Sequence, residues 1–119
     1  KTMSYFEMDG KKLYKLSSSI LPLFIKNSLA SKNLTLDDID WIVPHQASQS
    51  SLDHIIKMLN LDKSKLIDIF KTHANQVASS IPSALHTLLH TKDVKSGQKI
   101  MLVGTSAGVG LGLVVWQVP

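Results

Sequence analysis

The sequence predicts an α/β fold, a mixed five-stranded sheet with helices on both faces. Short apolar, β-branched runs alternate along the chain with longer segments whose apolar residues recur at helical spacing. The last two strand-like runs follow one another with only a glycine-rich connection between them. Alternation implies parallel crossovers, and the closing pair implies an antiparallel edge. With 119 residues, 44% of them hydrophobic, the chain has the size of one domain and enough apolar side chains for a core. No internal repeat, linker or low-complexity tract divides it, so residues 1–119 are expected to form one unit.

Each element has its own signature. Met3 to Met8 is rich in large apolar residues and is followed by the turn signal Asp9-Gly10, which predicts a first strand. From Leu13 to Ala30 the residues Leu16, Ile20, Leu23 and Phe24 recur at helical spacing, with Pro22 predicting a kink or break. Thr35 and Asp38 are spaced as a capping box. Trp41-Ile42-Val43 reads as a buried strand ended by Pro44. A helix opens at Ser48 or Gln49, with Leu52, Ile55, Ile56 and Leu59 on one stripe and Asp53 and Lys57 as an i,i+4 pair on the wet side. Leu66 to Phe70 predicts a third strand. Val77 to His90 predicts a helix with Ile81, Leu85, Leu88 and Leu89 inward and Pro82 tolerated in its first turn. Lys99 to Val103 and Leu111 to Val118 are the closing strands.

Composition narrows the function classes. Thirteen basic residues against nine acidic ones give a formal charge of +4, a mild excess that favours acidic partners. All thirteen are lysine, and the bidentate arginine typical of nucleic-acid surfaces is missing, so no nucleic-acid partner is expected. The absence of cysteine removes disulfides, thiolate metal sites and a cysteine nucleophile from the chain. The apolar runs are short of the roughly 20 residues of a membrane span, so a soluble, cytoplasmic protein without a membrane partner is expected. A start at Lys1 without methionine fits a piece of a longer polypeptide, and fits tag removal equally.

Three loops could carry chemistry. In open α/β sheets, ligands gather beyond the carboxyl ends of the strands, where loops converge. His45 leaves the second strand at such an end, its direction set by Pro44. His73-Ala74-Asn75 lies after the third strand and before a helix. An imidazole and a carboxamide held together suit a reaction that builds negative charge on a carbonyl oxygen, because both can donate to it. Gly104 to Gly112 permits close approach of backbone N–H groups but lacks the Lys-Ser/Thr of a phosphate-binding loop. Each has a plainer reading as well: a structural imidazole, a helix cap, a glycine-rich hairpin. His86 and His90 are four apart on a helix with no acidic neighbour in a zinc-protease pattern, so no metal is expected.

Taken together and in this order, Val43-Pro44-His45-Gln46-Ala47, His73-Ala74-Asn75 leading into Ala78-Ser79-Ser80-Ile81-Pro82, and Gly104 to Gly112 resemble the C-terminal half of 3-oxoacyl-acyl-carrier-protein synthase III, a thiolase-fold condensing enzyme. Tyr5 to Gly10 with Tyr14-Lys15, and Leu36 to Trp41, extend the resemblance over nearly the whole chain. It implies the C-terminal half of a thiolase-like fold, whose N-terminal half carries the nucleophilic cysteine that takes an acyl group from acyl-CoA. His45 and Asn75 would hold the thioester carbonyl of malonyl-acyl-carrier protein, promote decarboxylation and stabilise the attacking enolate. Gly104, Thr105, Ser106, Ala107 and Gly108 would form the substrate and oxyanion loop.

The same resemblance implies docking of an acidic carrier protein on Lys15 and Lys57, a homodimer, and no cofactor beyond the coenzyme A and carrier-protein thioesters that serve as substrates. The isolated chain, lacking cysteine, is expected to be inactive. Departures from the family pattern are Ser48 for asparagine, Ser50 for arginine, Ala74 for glycine, and Thr105-Ser106-Ala107 for Phe-Gly-Gly. Two other readings stand beside condensation: an acyltransferase with His45 as general base, and a non-catalytic half that binds carrier protein.

Overall fold

The computed structural model describes Tyr5 and residues 7–119. The strand expected over Met3 to Met8 therefore falls largely outside the described residues, and Tyr5, Glu7 and Met8 are not in a strand. What reads as a turn at Asp9-Gly10 is the start of a helix. Asp9 Oδ1 accepts from the Lys12 N–H at 3.1 Å and caps α1, Gly10–Ala30, which runs unbroken through Pro22. Helical spacing in α1 offers two apolar faces, and the buried one is Leu21, Ile25 and Leu29. Leu16, Ile20 and Leu23 keep 48%, 37% and 62% of their surface, so of the residues that mark the helix in sequence only Phe24 packs against the core.

Beyond α1, the Thr35 N–H donates to Asp38 Oδ2 at 2.8 Å and tightens the turn that delivers the chain to β1, Trp41–Pro44. Helix α2, Gln49–Met58, opens on Ser48, whose hydroxyl accepts from the Ser51 N–H at 3.1 Å. It buries Leu52 and half-buries Ile55 and Ile56 as expected. Asp53 takes a hydrogen bond from Gln49 Nε2 at 3.3 Å, and among the described residues it forms no ion pair with Lys57. A four-residue helix α3, Phe70–His73, and a tight turn at Val77–Ser79 lead to α4, Ser80–Thr91, with Pro82 in its first turn. Strands β2, Lys99–Ser106, and β3, Gly110–Gln117, close the chain.

The sheet has the order β1-β2-β3. β1 is parallel to β2, from Trp41↔Ile100 to Pro44↔Val103, and β2 is antiparallel to β3, from Lys99↔Gln117 to Ser106↔Gly110. Five strands were expected, and among the described residues three are present. Leu66 to Phe70 contributes only a parallel bridge, Ile42↔Leu66, with the Ile67 N–H donating to Ile42 O at 2.9 Å. The reason is local: side chains take the backbone groups that a longer ladder would use. Gln46 Oε1 accepts from the Ile69 N–H at 3.0 Å and Asp68 Oδ1 from the Phe70 N–H at 3.1 Å.

Helices cover both faces, because successive strand residues point to opposite sides. Ile42, Met101 and Val103 meet α1 and α2 on one side, while Val43 and Ile100 meet Ala84 and Leu88 of α4 on the other. Leu89, expected inward, is exposed. Truncating the two faces of α1 distinguishes them. Ile25→Ala should cost about 2–5 kcal/mol in urea unfolding of this chain and Leu23→Ala about 0.5 kcal/mol or less. Equal losses would place Leu23 in the core.

Candidate active site

The site is built where β1 ends. The His45 N–H donates to Val103 O at 2.8 Å, extending the parallel ladder one residue past Pro44 and fixing where the imidazole leaves the sheet. The ring is half-buried, and burial alone pushes its pKa below the ordinary value of 6.5. His45 is thus neutral at pH 7, with one ring nitrogen free to donate and the other to accept.

Asn75 comes from the other loop. Its Oδ1 accepts from the Val77 N–H at 2.8 Å and lies 3.5 Å from the hydroxyl of buried Ser80, which itself accepts from the Gln76 N–H at 3.0 Å. With the oxygen engaged, the NH2 group is the end offered outward. It points across to the carbonyl of Ala47 at 3.5 Å, the outer limit of a hydrogen bond, and so the loops carrying His45 and Asn75 converge. The Asn75 loop holds two non-glycine residues in the left-handed half of backbone space, Ala74 at φ 55° and Val77 at φ 55°. Ala74, with ψ −160°, occupies a conformation that favours glycine, the residue expected there from the resemblance.

The glycine-rich segment divides. Gly104, Thr105 and Ser106 are paired residues of β2, and Gly104 follows Val103 directly, beside His45. A Cβ on Gly104 would lie 3.2 Å from Ile81 Cδ1, so the missing side chain lets α4 approach the strand. Ala107 and Gly108 form the hairpin tip, where with Val109 they border a shallow concavity shared with Asp9, Lys12 and Leu16 of the α1 start. The register sets Gly104 beside His45 and places Ala107 and Gly108 at the turn that follows Ser106.

Lys15 and Lys57 are exposed on α1 and α2. Their helices meet edge to face through Tyr14 and His54, ring centroids 5.8 Å apart, which explains a histidine that has no partner by spacing. His86 and His90 stack at 3.9 Å on α4, and His73 Nδ1 lies 2.8 Å from Thr72 Oγ1. Among the described residues no three metal-ligating side chains converge, and no helix is long and apolar enough to cross a membrane. Gln46 and Ser80, which enter the sequence reading only as members of longer motifs, are the buried polar side chains that hold the two loops. Nothing in their local sequence marks them as buried.

A mixed sheet covered by helices on both faces, with His45 at the end of β1 and Asn75 in the loop before α4, is the fold of the thiolase-like enzymes. Solved structures share it. The 3-oxoacyl-(acyl carrier protein) synthase III of Pseudomonas aeruginosa PAO1 superposes with a TM-score of 0.88 at 28% identity, over 100% of this chain and 38% of that one. The synthase III of Aquifex aeolicus VF5 does so with 0.87 at 26%, over 95% and 37%. Among curated relatives, the β-ketoacyl-[acyl-carrier-protein] synthase III of Porphyra umbilicalis is 37% identical over 112 residues, 92% of this chain and 34% of its own. That of Blochmanniella floridana is 36% identical over 111 residues, 93% and 35%. The family profile for the 3-oxoacyl-[acyl-carrier-protein (ACP)] synthase III C terminal matches residues 29–118, and the chain belongs to that family as its C-terminal part. It spans about a third of the length of the curated relatives it matches.

Two measurements probe the site. The folded chain binds the His45 proton less readily than the unfolded chain, so His45 contributes stability that is fully present above about pH 6.5 and is lost as pH falls below that value through the lower pKa of the folded state. In an NMR titration its ring should titrate below 6.5, and a midpoint at or above that value would contradict the burial. Ala74→Gly should raise the unfolding free energy by about 1 kcal/mol, by releasing the positive-φ backbone. A loss would show that Ala74 sits there without strain.

Proposed function

We propose that this chain supplies the decarboxylating half of a condensing enzyme, which joins an acyl group from acyl-CoA to malonyl-acyl-carrier protein with loss of CO2. The observation that carries the reading is the convergence of a neutral, half-buried His45 with an Asn75 whose oxygen is engaged and whose NH2 faces the His45 loop. Two neutral donors suit a thioester carbonyl. As the malonyl carboxylate leaves as CO2, the electron pair passes to the α-carbon and onto the carbonyl oxygen, and the donors stabilise that enolate. Neither group needs to change charge.

The nucleophile must come from elsewhere, since the chain has no cysteine. We assign it to an N-terminal half of the same enzyme, which would also cover apolar surface left open here, such as Val114 and Trp116 on β3 and Leu89 on α4. In this reading the assembled enzyme is a cytoplasmic homodimer that uses neither metal nor cofactor. The acidic carrier protein approaches the lysines beside the Tyr14–His54 contact, Lys15 on α1 and Lys57 on α2. His45, Asn75 and Gly104 border the reacting carbonyl, with Thr105 and Ser106 next along β2.

The test uses the full-length protein with acetyl-CoA and malonyl-acyl-carrier protein, the product being followed by mass spectrometry. The 3-oxoacyl product should form, and His45→Ala and Asn75→Ala should each reduce its rate by at least about a hundredfold. This chain alone should form none. Absence of product from folded full-length protein across several acyl-CoAs would overturn the proposal in favour of acyl transfer to a hydroxyl or amine, with His45 as base.

A further inference from the structure

Gln46 is fully buried, and each of its polar atoms is used. Nε2 donates to Pro44 O at 3.0 Å and to Ile67 O at 3.0 Å, while Oε1 accepts from the Ile69 N–H at 3.0 Å. Only one orientation of the amide works, because the flipped one would set its oxygen against two carbonyls and its NH2 against an N–H donor. The three contacts span two separate backbone segments. Pro44 ends β1 and immediately precedes His45, whereas Ile67 and Ile69 belong to the stretch that enters α3 and, past it, Asn75.

Between these segments the β-ladder stops at the bridge Ile42↔Leu66. A longer ladder would press the two strand ends together at the usual spacing of about 4.8 Å. The Gln46 amide instead joins them, through its bonds to Pro44 O on one side and to Ile67 O and the Ile69 N–H on the other. From Ile69 the geometry passes on rigidly: the His73 N–H donates to Ile69 O at 2.9 Å and the Ala74 N–H to Phe70 O at 2.7 Å, directly before Asn75. On the other side His45 is the next residue after the Pro44 carbonyl that Gln46 holds.

We propose that Gln46 is a positioning residue which sets the gap between the His45 and Asn75 donors, and thereby the rate of the decarboxylating step. The inference rests on the condensing reading above. Gln46 touches no substrate; it acts through the two backbone segments it joins. An amide is required because the site presents two acceptors and one donor to it, which a carboxylate cannot match.

That mismatch supplies the test, made on the full-length protein with malonyl-acyl-carrier protein by following CO2 release from about pH 5.5 to 8. Gln46→Met keeps the volume and removes all three hydrogen bonds. Its kcat should fall about ten- to a hundredfold at every pH, the scale of a misplacement near 1 Å, with KM changed less than about threefold. Gln46→Glu should retain most of its kcat at the acid end, where the protonated carboxyl still donates to one carbonyl, and lose it as the pH rises and the carboxyl ionises against two carbonyl oxygens. The thermal midpoint, measured at each pH, should stay above the assay temperature. Wild-type kcat in Gln46→Met, or losses in both variants that follow the thermal midpoint and not the pH, would overturn the inference and leave the condensing reading standing. Absence of CO2 release by the wild-type protein would overturn that reading and this inference together.

Discussion

Four residues of β1 pair in parallel with β2, from Trp41↔Ile100 to Pro44↔Val103, and the helices on both faces make that pairing hard to shift. A slip of one residue would turn Ile42 toward α4 and Val43 toward α1, exchanging two cores of different shape. The register therefore determines the height at which β1 ends and the direction in which His45 leaves. Pro44 has no N–H to donate, and the His45 N–H makes the last ladder bond, to Val103. Gly104 then follows Val103 beside the imidazole, where a larger residue would push α4 away through Ile81.

The second donor is held by different means. Asn75 stands on no strand; its place comes from a short helix, a residue at positive φ and a set of side-chain hydrogen bonds converging on Ser80 and Val77. Such a loop is specified by local chemistry, and its backbone strain concentrates where a reactive group must be presented. The two devices meet through Gln46. Buried hydrogen bonds of this kind are costly to leave incomplete, so once formed they hold their segments in one arrangement. The contact from Asn75 to Ala47 O, at 3.5 Å, is long for a hydrogen bond and leaves the amide NH2 weakly held.

Electrostatics at the candidate site is quiet. No ionised group accounts for the lowered pKa of His45; burial alone does. A neutral imidazole and a carboxamide offer hydrogen bonds without bringing a charge of their own. Lys15 and Lys57 lie on the exposed sides of α1 and α2, and the lysine excess gives the chain a mild positive field.

The linear pattern was enough for the α/β class, the closing hairpin, the inward stripe of α2 and the family, because strand and helix periods and the three loop motifs are local properties. It also singled out His45 and Asn75, through the proline before one and the helix after the other. Tertiary structure decided the rest. Two apolar stripes run along α1 with equal helical spacing, and only packing against the sheet selects Leu21, Ile25 and Leu29 over Leu16, Ile20 and Leu23. Leu66 to Phe70 has the composition of a strand, yet its pairing ends after one bridge because Gln46 and Asp68 capture the next backbone groups. A buried glutamine and an exposed one are the same letter; the difference between them is made by chain segments some twenty residues away, Ile67 and Ile69 among them, that come together only in the fold.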